Sequence, residues 1–400
     1  MRTSHILVTT FLLVITPTLI LASAPHTDND GEPRDGIVDY TLDVQWRAGG
    51  LDDDENLFGV IMQALADEDG NLYLLDNQLS EVAVFSSAGE RIATLSREGD
   101  GPGESRRPND MLFLPDNKIG LMQVFPGKIV QIDRQGNPAG TFPLNAGDAG
   151  SGGFSVLVRG KCAGGNIVLA GVDQAFAQGM LDQTYYLRSY TEAGAMNTEY
   201  TVKTAQMNFA NMILDEVAVD FIWTRFDVAD DGTVVVAAAR NDYMVQVFQA
   251  DGTPLRTFSR AYEPLQRNAV DSARAQALLE AQGRNYPVMP QVSITDVEPD
   301  INGIRAFDDG VVWVQTSRGT RNLDVGVLMV YDVFDAEGVF THQARIMAPG
   351  DGEEDLLYLI DDKRAVLIHN FRNTLMSSMG VEGDGEDAEP MEVVYCRIAR

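Results

Sequence analysis

Cysteine is almost missing from this chain: two residues in 400, Cys162 and Cys396. That excludes a disulfide-framed small-domain scaffold and any multi-cysteine zinc centre. Histidine is nearly as scarce, with four in all. Only His342 and His369 lie within patterned segments, too few for histidine-based zinc or acid-base chemistry, and His369 reads as a satisfied sheet residue. Basic residues are outnumbered, 30 against 59 acidic, for a formal charge of −29. Such a surface repels phosphate backbones, so sequence-independent nucleic-acid binding is excluded. No Gly-x-Ser-x-Gly elbow and no Walker-type loop occurs. Gly99-Asp100-Gly101-Pro102-Gly103 lies between strands and opens no helix, which argues against a nucleotide site.

The first residues carry Arg2 and then no charged side chain until Asp28. Phe11 to Ile15 and Leu19 to Leu21 form an apolar middle, and Ala22-Ser23-Ala24 supplies small residues at cleavage spacing. Residues 1–24 are expected to be a secretory signal peptide, or an uncleaved anchor because Pro25 would follow the cut. A periplasmic or secreted protein follows, touching a membrane only if the segment is retained. Residues 25–37 read as a polar linker with too little apolar content to order itself, and residues 38–400 as one domain.

What the sequence does have is a hairpin cadence. Asp69-Gly70 is followed about twenty residues later by Gly89, Asp116-Asn117 by Gln135-Gly136, and Asp231-Gly232 by Asp251-Gly252, an interval that suits repeated four-stranded antiparallel modules. Modules are predicted over about Leu57 to Ser96, Met111 to Leu144, Phe154 to Val202 (with an enlarged loop at Asp173 to Gln183), Arg225 to Phe258 and Ile301 to Ile346. A last one is formed by Leu356 to Ile360, Ala365 to His369 and Glu392 to Ile398. It is one strand short, and Tyr40 to Trp46, alternating at period two, is the natural fourth strand. The expected fold is all-β: a six-bladed β-propeller closed by its N-terminal strand. A helical insertion, about 259–299, is placed between blades 4 and 5, its helix opened by Pro264 and stopped by Gly283. Cys162 and Cys396 then fall in opposite blades, too far apart for a bridge, and two buried unpaired thiols are expected.

Val84-Phe85-Ser86-Ser87-Ala88-Gly89, Gly99-Asp100-Gly101-Pro102-Gly103-Glu104, Tyr243 to Gly252 and Val330 to Gly338 resemble stretches of the secreted bacterial six-bladed β-propellers related to NHL-repeat proteins. The resemblance implies the fold and export. It implies almost nothing about activity, because propellers host lyases, lactonases, receptors and scaffolds.

With strands a to d counted along each module, the b-to-c and d-to-a connections share one face, and every long loop falls there. Such loops carry function on a rigid scaffold. Arg106, Arg107, Arg240, Asn241, Arg318, Arg321, Asn322, Arg372 and Asn373 gather on that face. Guanidinium forks and amides suit an anionic small molecule, glycan or peptide carboxylate. The expected function is therefore that of a monomeric binding or interaction module without cofactor, the 259–299 excursion acting as a partial lid. The alternative is a metal-dependent lactonase-like or lyase-like enzyme. A divalent cation such as calcium would sit at the axis among Glu104, Asn109, Asp110, Asn241 and Asn370.

Overall fold

The computed structural model describes residues 24–144, 153–381 and 389–400. The segment expected to be a signal peptide, apart from Ala24, and the acidic run Glu382 to Asp387 lie outside them. In chain order, strand β1 is His26–Asn29 and β2 is Ile37–Gly49. A first antiparallel meander follows: β3 (Ile61–Ala66), β4 (Leu72–Asp76), β5 (Glu81–Phe85) and β6 (Arg91–Leu95). The second is β7 (Asp110–Leu114), β8 (Lys118–Gln123), β9 (Lys128–Asp133) and β10 (Pro138–Thr141). The third is β11 (Phe154–Ala163), β12 (Asn166–Ala177), β13 (Met180–Tyr190) and β14 (Met196–Asn208). Strand β15 (Ile213–Asp215) and helix α1 (Glu216–Val219) lead into a fourth, β16 (Phe226–Val228), β17 (Val234–Val236), β18 (Met244–Phe248) and β19 (Pro254–Arg260).

Helix α2 (Ala269–Gly283) and strand β20 (Gln291–Ser293) precede the fifth, β21 (Ile301–Ala306), β22 (Val312–Thr316), β23 (Val327–Phe334) and β24 (Phe340–Met347). The last meander has β25 (Leu356–Leu359), β26 (Arg364–His369) and, after helix α3 (Phe371–Ser378), β27 (Glu392–Ala399). Its fourth strand is β2, antiparallel to β27 from Thr41↔Ala399 to Gly49↔Glu392. The start of β2 also runs parallel to β24, Ile37↔Gln343 to Thr41↔Met347, fusing the last two meanders into one eight-stranded sheet.

Period-two alternation sends successive side chains of each sheet to opposite neighbours, so most strands are buried on both faces. The consequence is a cyclic series of inter-sheet cores. Leu75, Val84 and Leu95 of the first meander pack on Leu121 and Ile132 of the second, and Met122 and Ile129 of the second on Leu157 and Leu169 of the third. Val172 and Leu187 meet Val228 and Val234, Val245 and Phe258 meet Val314 and Phe334, and Tyr331 and Ile346 meet Leu367 and Val394. The series returns to its start where Val366, Val393 and Tyr395 pack on Ile61, Leu74 and Phe85. The chain is all-β in a propeller-like arrangement. No helix among the described residues is long and apolar enough to cross a membrane.

Three local expectations fail. The stretch read as linker holds β1, which pairs parallel with β19 from His26↔Thr257 to Asn29↔Arg260. Its order comes from backbone pairing and from Asn29, whose Nδ2 donates to the Ser259 and Gly338 carbonyls at 2.9 Å, so apolar content was the wrong criterion. The enlarged loop expected at Asp173 to Gln183 is a hairpin extension of β12 and β13, paired from Ala177↔Met180 inward. Its two-residue turn has φ of 53° at Gln178 and 81° at Gly179, the left-handed geometry that tight hairpins need. Helix α2 begins five residues after Pro264, where Asn268 and Asp271 form a capping box that satisfies the free N–H groups better than a proline start. The long b-to-c connection of the last meander contains α3.

Candidate functional site

The excursion between the fourth and fifth meanders lies across the long-loop face. At one end β20 runs parallel to β15 beside the third meander, with Leu279 of α2 packed on Met207, Met212 and Leu181. Just past the same helix, Arg284 Nη1 donates to the carbonyls of Met379 at 3.2 Å and Gly380 at 3.1 Å. Glu216, directly after β15, fastens the excursion down. Its carboxylate accepts a two-pronged contact from Arg267, both arms 2.7 Å, a third bond from Arg240 at 2.5 Å and one from the Thr295 amide at 3.0 Å. Although burial works against ionisation, these donors hold the Glu216 carboxyl below its ordinary range.

Beneath α2 is a cavity of about 370 Å³, bounded by α3 and the loops of the last two meanders. Three guanidiniums there converge on one oxygen, Glu353 Oε2: Arg321 Nη1 at 2.7 Å, Arg274 Nη1 at 3.5 Å and Arg372 Nη1 at 3.9 Å. Arg321 also reaches Asp271 Oδ1 at 2.8 Å. Arg372 Nη1 is buried and makes no hydrogen bond among the described residues. Burial, then the like charges of Arg274 and Arg321, lower the Arg372 pKa.

The residues singled out from the sequence divide sharply. Arg321 and Arg372 line this cavity. Arg318 holds the excursion instead, Nε donating to the Glu263 carbonyl at 2.9 Å. Arg240 is the buried clamp on Glu216, and Asn241 donates to the Glu298 carbonyl at 2.9 Å. Asn322 and Asn373 are exposed outside the cavity. Arg106 is paired with Asp100 at 2.7 Å on an exposed loop, and Arg107 is exposed beside it; neither lines the cavity.

The residues named for a divalent ion each have partners within the protein. Glu104 takes Arg97 at 2.6 Å, Asn109 donates to the Val158 carbonyl and Asn370 to the Pro390 carbonyl. Asp110 is enclosed by Gln63 Nε2 at 2.8 Å and the Gly160 amide at 2.7 Å. No group of three or more His, Cys, Asp or Glu among the described residues is placed to hold a metal ion.

Below the mouth a second chamber, about 420 Å³, runs between β3, β7, β11, β16, β21 and β25, and the two cavities share Asn302, Gln315, Leu356 and Leu357. Hydrogen bonds link these strands in turn around it. Gln63 to Asp110 joins β3 to β7, and the Gly160 amide on Asp110 joins β7 to β11. Lys161 to Asp227, 2.5 Å, joins β11 to β16, and the Ala306 amide with Arg305, 2.9 and 2.7 Å, joins β16 to β21. Arg305 Nη2 on the Ile360 carbonyl ties β21 to the end of β25, and the Tyr358 hydroxyl on the Met62 carbonyl, 2.6 Å, returns to β3. Burial pushes Asp110 up against the pull of Arg159. At Asp227 burial is outweighed by Lys161 and Arg305, and its carboxyl is held down.

Sequence reading missed Arg159, Lys161 and Arg305. The available signal was a pair of basic residues, Arg159 and Lys161, flanking Gly160 inside a strand whose apolar neighbours, Leu157 and Ile167, mark it as core.

Both cysteines are free. Cys396 is buried, whereas Cys162 is half-buried and lines the chamber, against the expectation that both would be fully enclosed. Burial pushes each thiol up to about 11, so little thiolate exists at neutral pH. Iodoacetamide at neutral pH is expected to label the native protein at least about tenfold more slowly than the urea-unfolded chain, measured by intact mass. Equal rates would contradict the burial.

No family model and no curated protein matches the sequence. Solved structures do. A protein of Bacteroides fragilis assigned as exported superposes with a TM-score of 0.52 at 12% identity, covering 94% of this chain and 100% of its own. A member of the DUF4221 family from Bacteroides vulgatus gives 0.50 at 11% identity, covering 90% of this chain and 99% of its own. At such identities the likeness is one of fold.

Proposed function

We propose that this chain is an exported six-bladed propeller of the NHL-like kind that captures an anionic ligand at the mouth of its long-loop face. Six inner strands linked in a ring, with a core between each adjacent pair of sheets, support the blade count. Likeness to an exported fold supports a periplasmic or secreted location.

The observation that carries the binding reading is the set of three guanidiniums on Glu353 Oε2. One carboxylate oxygen cannot satisfy three forks, and Arg372 Nη1 is left buried without an acceptor. An unmade bond of that kind costs about 1–3 kcal/mol. A ligand carboxylate or sulfate entering the cavity supplies the missing acceptor and gains a charge-assisted, potentially bidentate contact. Glu353 holds the arginines in place until then. The volume suits the acidic end of a glycan or a peptide C-terminus rather than a whole polymer.

On an array of sulfated and uronate-bearing glycans and acidic peptides, the parent protein is expected to capture an acidic subset, and Arg321→Ala and Arg372→Ala to weaken capture at least about tenfold each. No capture by the parent, or capture unchanged in both variants, overturns the reading.

A further inference from the structure

The chamber below the mouth has a chemistry of its own. Its order of depth follows from strand direction: β7 and β11 both run inward from the long-loop face, so Asp110 and Arg159 lie nearer the mouth, Lys161 deeper, and Asp230, in the turn after β16, at the far end. Arg159 is only 21% exposed, yet its one ion-pair contact among the described residues is Nη1 to Asp110 Oδ1 at 3.5 Å. Asp110 does not need it, being already served by the Gln63 amide and the backbone amides of Gly160 and Met111. The Tyr358 hydroxyl donates to the Met62 carbonyl, which leaves its oxygen beside Arg159 as an acceptor. A guanidinium has five N–H groups, so with Asp110 and Tyr358 as its neighbouring acceptors Arg159, which lines the chamber, keeps donors for a ligand. Lys161 and Arg305 share the single carboxylate of Asp227. Cationic donors thus dominate the middle of the chamber in a protein whose formal charge is −29.

The rest of the lining is mixed. Gln63, Thr224, Asn302 and Gln315 offer neutral donors and acceptors, and Ala64, Leu112 and Leu357 offer apolar wall. Bare sulfate or phosphate would use only the first set. A compact molecule bearing one carboxylate and several hydroxyls would use all three, and about 420 Å³ holds a single sugar ring with its hydration but no oligomer.

We propose that this chamber is a second binding site, below the mouth and continuous with it, for a monosaccharide-sized sugar acid whose carboxylate is held by Arg159 with Lys161 and Arg305 beside it. A divalent cation does not fit the same place, because the groups turned into it are donors and positive charges and both enclosed carboxylates are committed to the ring of strand links.

Calorimetry with glucuronate as probe and inorganic sulfate as the bare-oxyanion control tests this. Arg159→Gln is the first variant, since Asp110 keeps its three other donors and the fold should survive. It is expected to weaken glucuronate binding at least about tenfold, while Arg372→Ala, altered only at the mouth, leaves it within about twofold of the parent. Cys162 lines the chamber and Cys396 does not, which gives an independent readout: at alkaline pH, glucuronate should slow alkylation of Cys162 in the parent and leave Cys396 unchanged. Equal affinity in parent and Arg159→Gln, loss in Arg372→Ala instead, sulfate binding as tightly as glucuronate, or no protection of Cys162 would each overturn the assignment.

Discussion

Asp227→Ala is expected to destabilise the protein by about 3–5 kcal/mol, the penalty for breaking a buried ion pair from one side. Asp227 carries two consecutive links of the inner ring, to Lys161 at 2.5 Å and to Arg305 at 2.7 Å, and also accepts the Ala306 amide. Alanine removes all of these at once and leaves an ammonium and a guanidinium facing each other without an anion. Urea denaturation followed by tryptophan fluorescence should show the midpoint move with little change in slope. A shift of less than about 1 kcal/mol would mean that water replaces the carboxylate at no cost, and that the ring is not a structural device. The pH dependence has a definite sign. Because Lys161 and Arg305 hold the folded-state carboxyl below the ordinary 3.8, its contribution is complete at neutral pH and above. It is lost as pH falls below that value, and parent and variant should converge in stability there.

Loss of the closing strand is expected to be larger still. A chain beginning at Gly50 lacks β2, and with it the antiparallel ladder to β27 and the parallel ladder to β24; it also lacks β1 and its short ladder to β19. Trp46 stacks between Phe85 at 5.3 Å and Tyr395 at 5.2 Å, and Tyr40 and Leu42 pack on the core between the last two meanders. Without them an edge of β27 and two core faces are open to water. Such a chain should show no cooperative unfolding transition and should be cut rapidly by protease. Trp46→Ala isolates the side chain, and about 2–4 kcal/mol is expected for it, somewhat below a fully buried aromatic because Trp46 is only partly buried. Gly89 reports the same contact from the other side, since a Cβ there would lie 2.6 Å from Trp46 Cγ, and Gly89→Ala should destabilise in parallel. A truncated chain that melts like the parent would show that β2 is an ornament.

Much of the fold was legible because its determinants are local. Val234-Val235-Val236 between Asp231-Gly232 and Asn241, or Glu81 to Phe85 between Asn77 and Gly89, combine β-prone residues with turn residues that permit positive φ. The strand missing near Arg400 was legible by counting, and β2 supplied it. The failures had non-local causes. Asp173 to Gln183 is polar enough to look like a loop, and only pairing across Gln178-Gly179 makes it strand. Pro264 looked like a helix start because the Asn268 and Asp271 box was not weighed against it.

The candidate site was half legible. Arg321 and Arg372 belong to the mouth, but Arg240, of the same type on the same face, is spent on Glu216, a partner 24 residues earlier whose approach no periodicity reveals. Arg274 sits on a helix whose orientation the sequence does not state, and Glu353 on a loop that looked like an ordinary acidic turn. Arg159, Lys161 and Arg305 were hidden for a geometric reason. Arg159 and Lys161 keep the strand's period of two, but nothing in that period says that the strand is the innermost of its sheet, or that Asp110, Asp227 and Arg305 come to meet them from other sheets.

The seam between β2 and β27 also bears on how the molecule comes into being. Thr41 finds Ala399 only after the chain between them has been made, so β2 must wait for β27. Until that meeting the ring stays ajar. A nascent chain held in this way is slow to lock, because the pairing that closes it spans almost the full run of sheets.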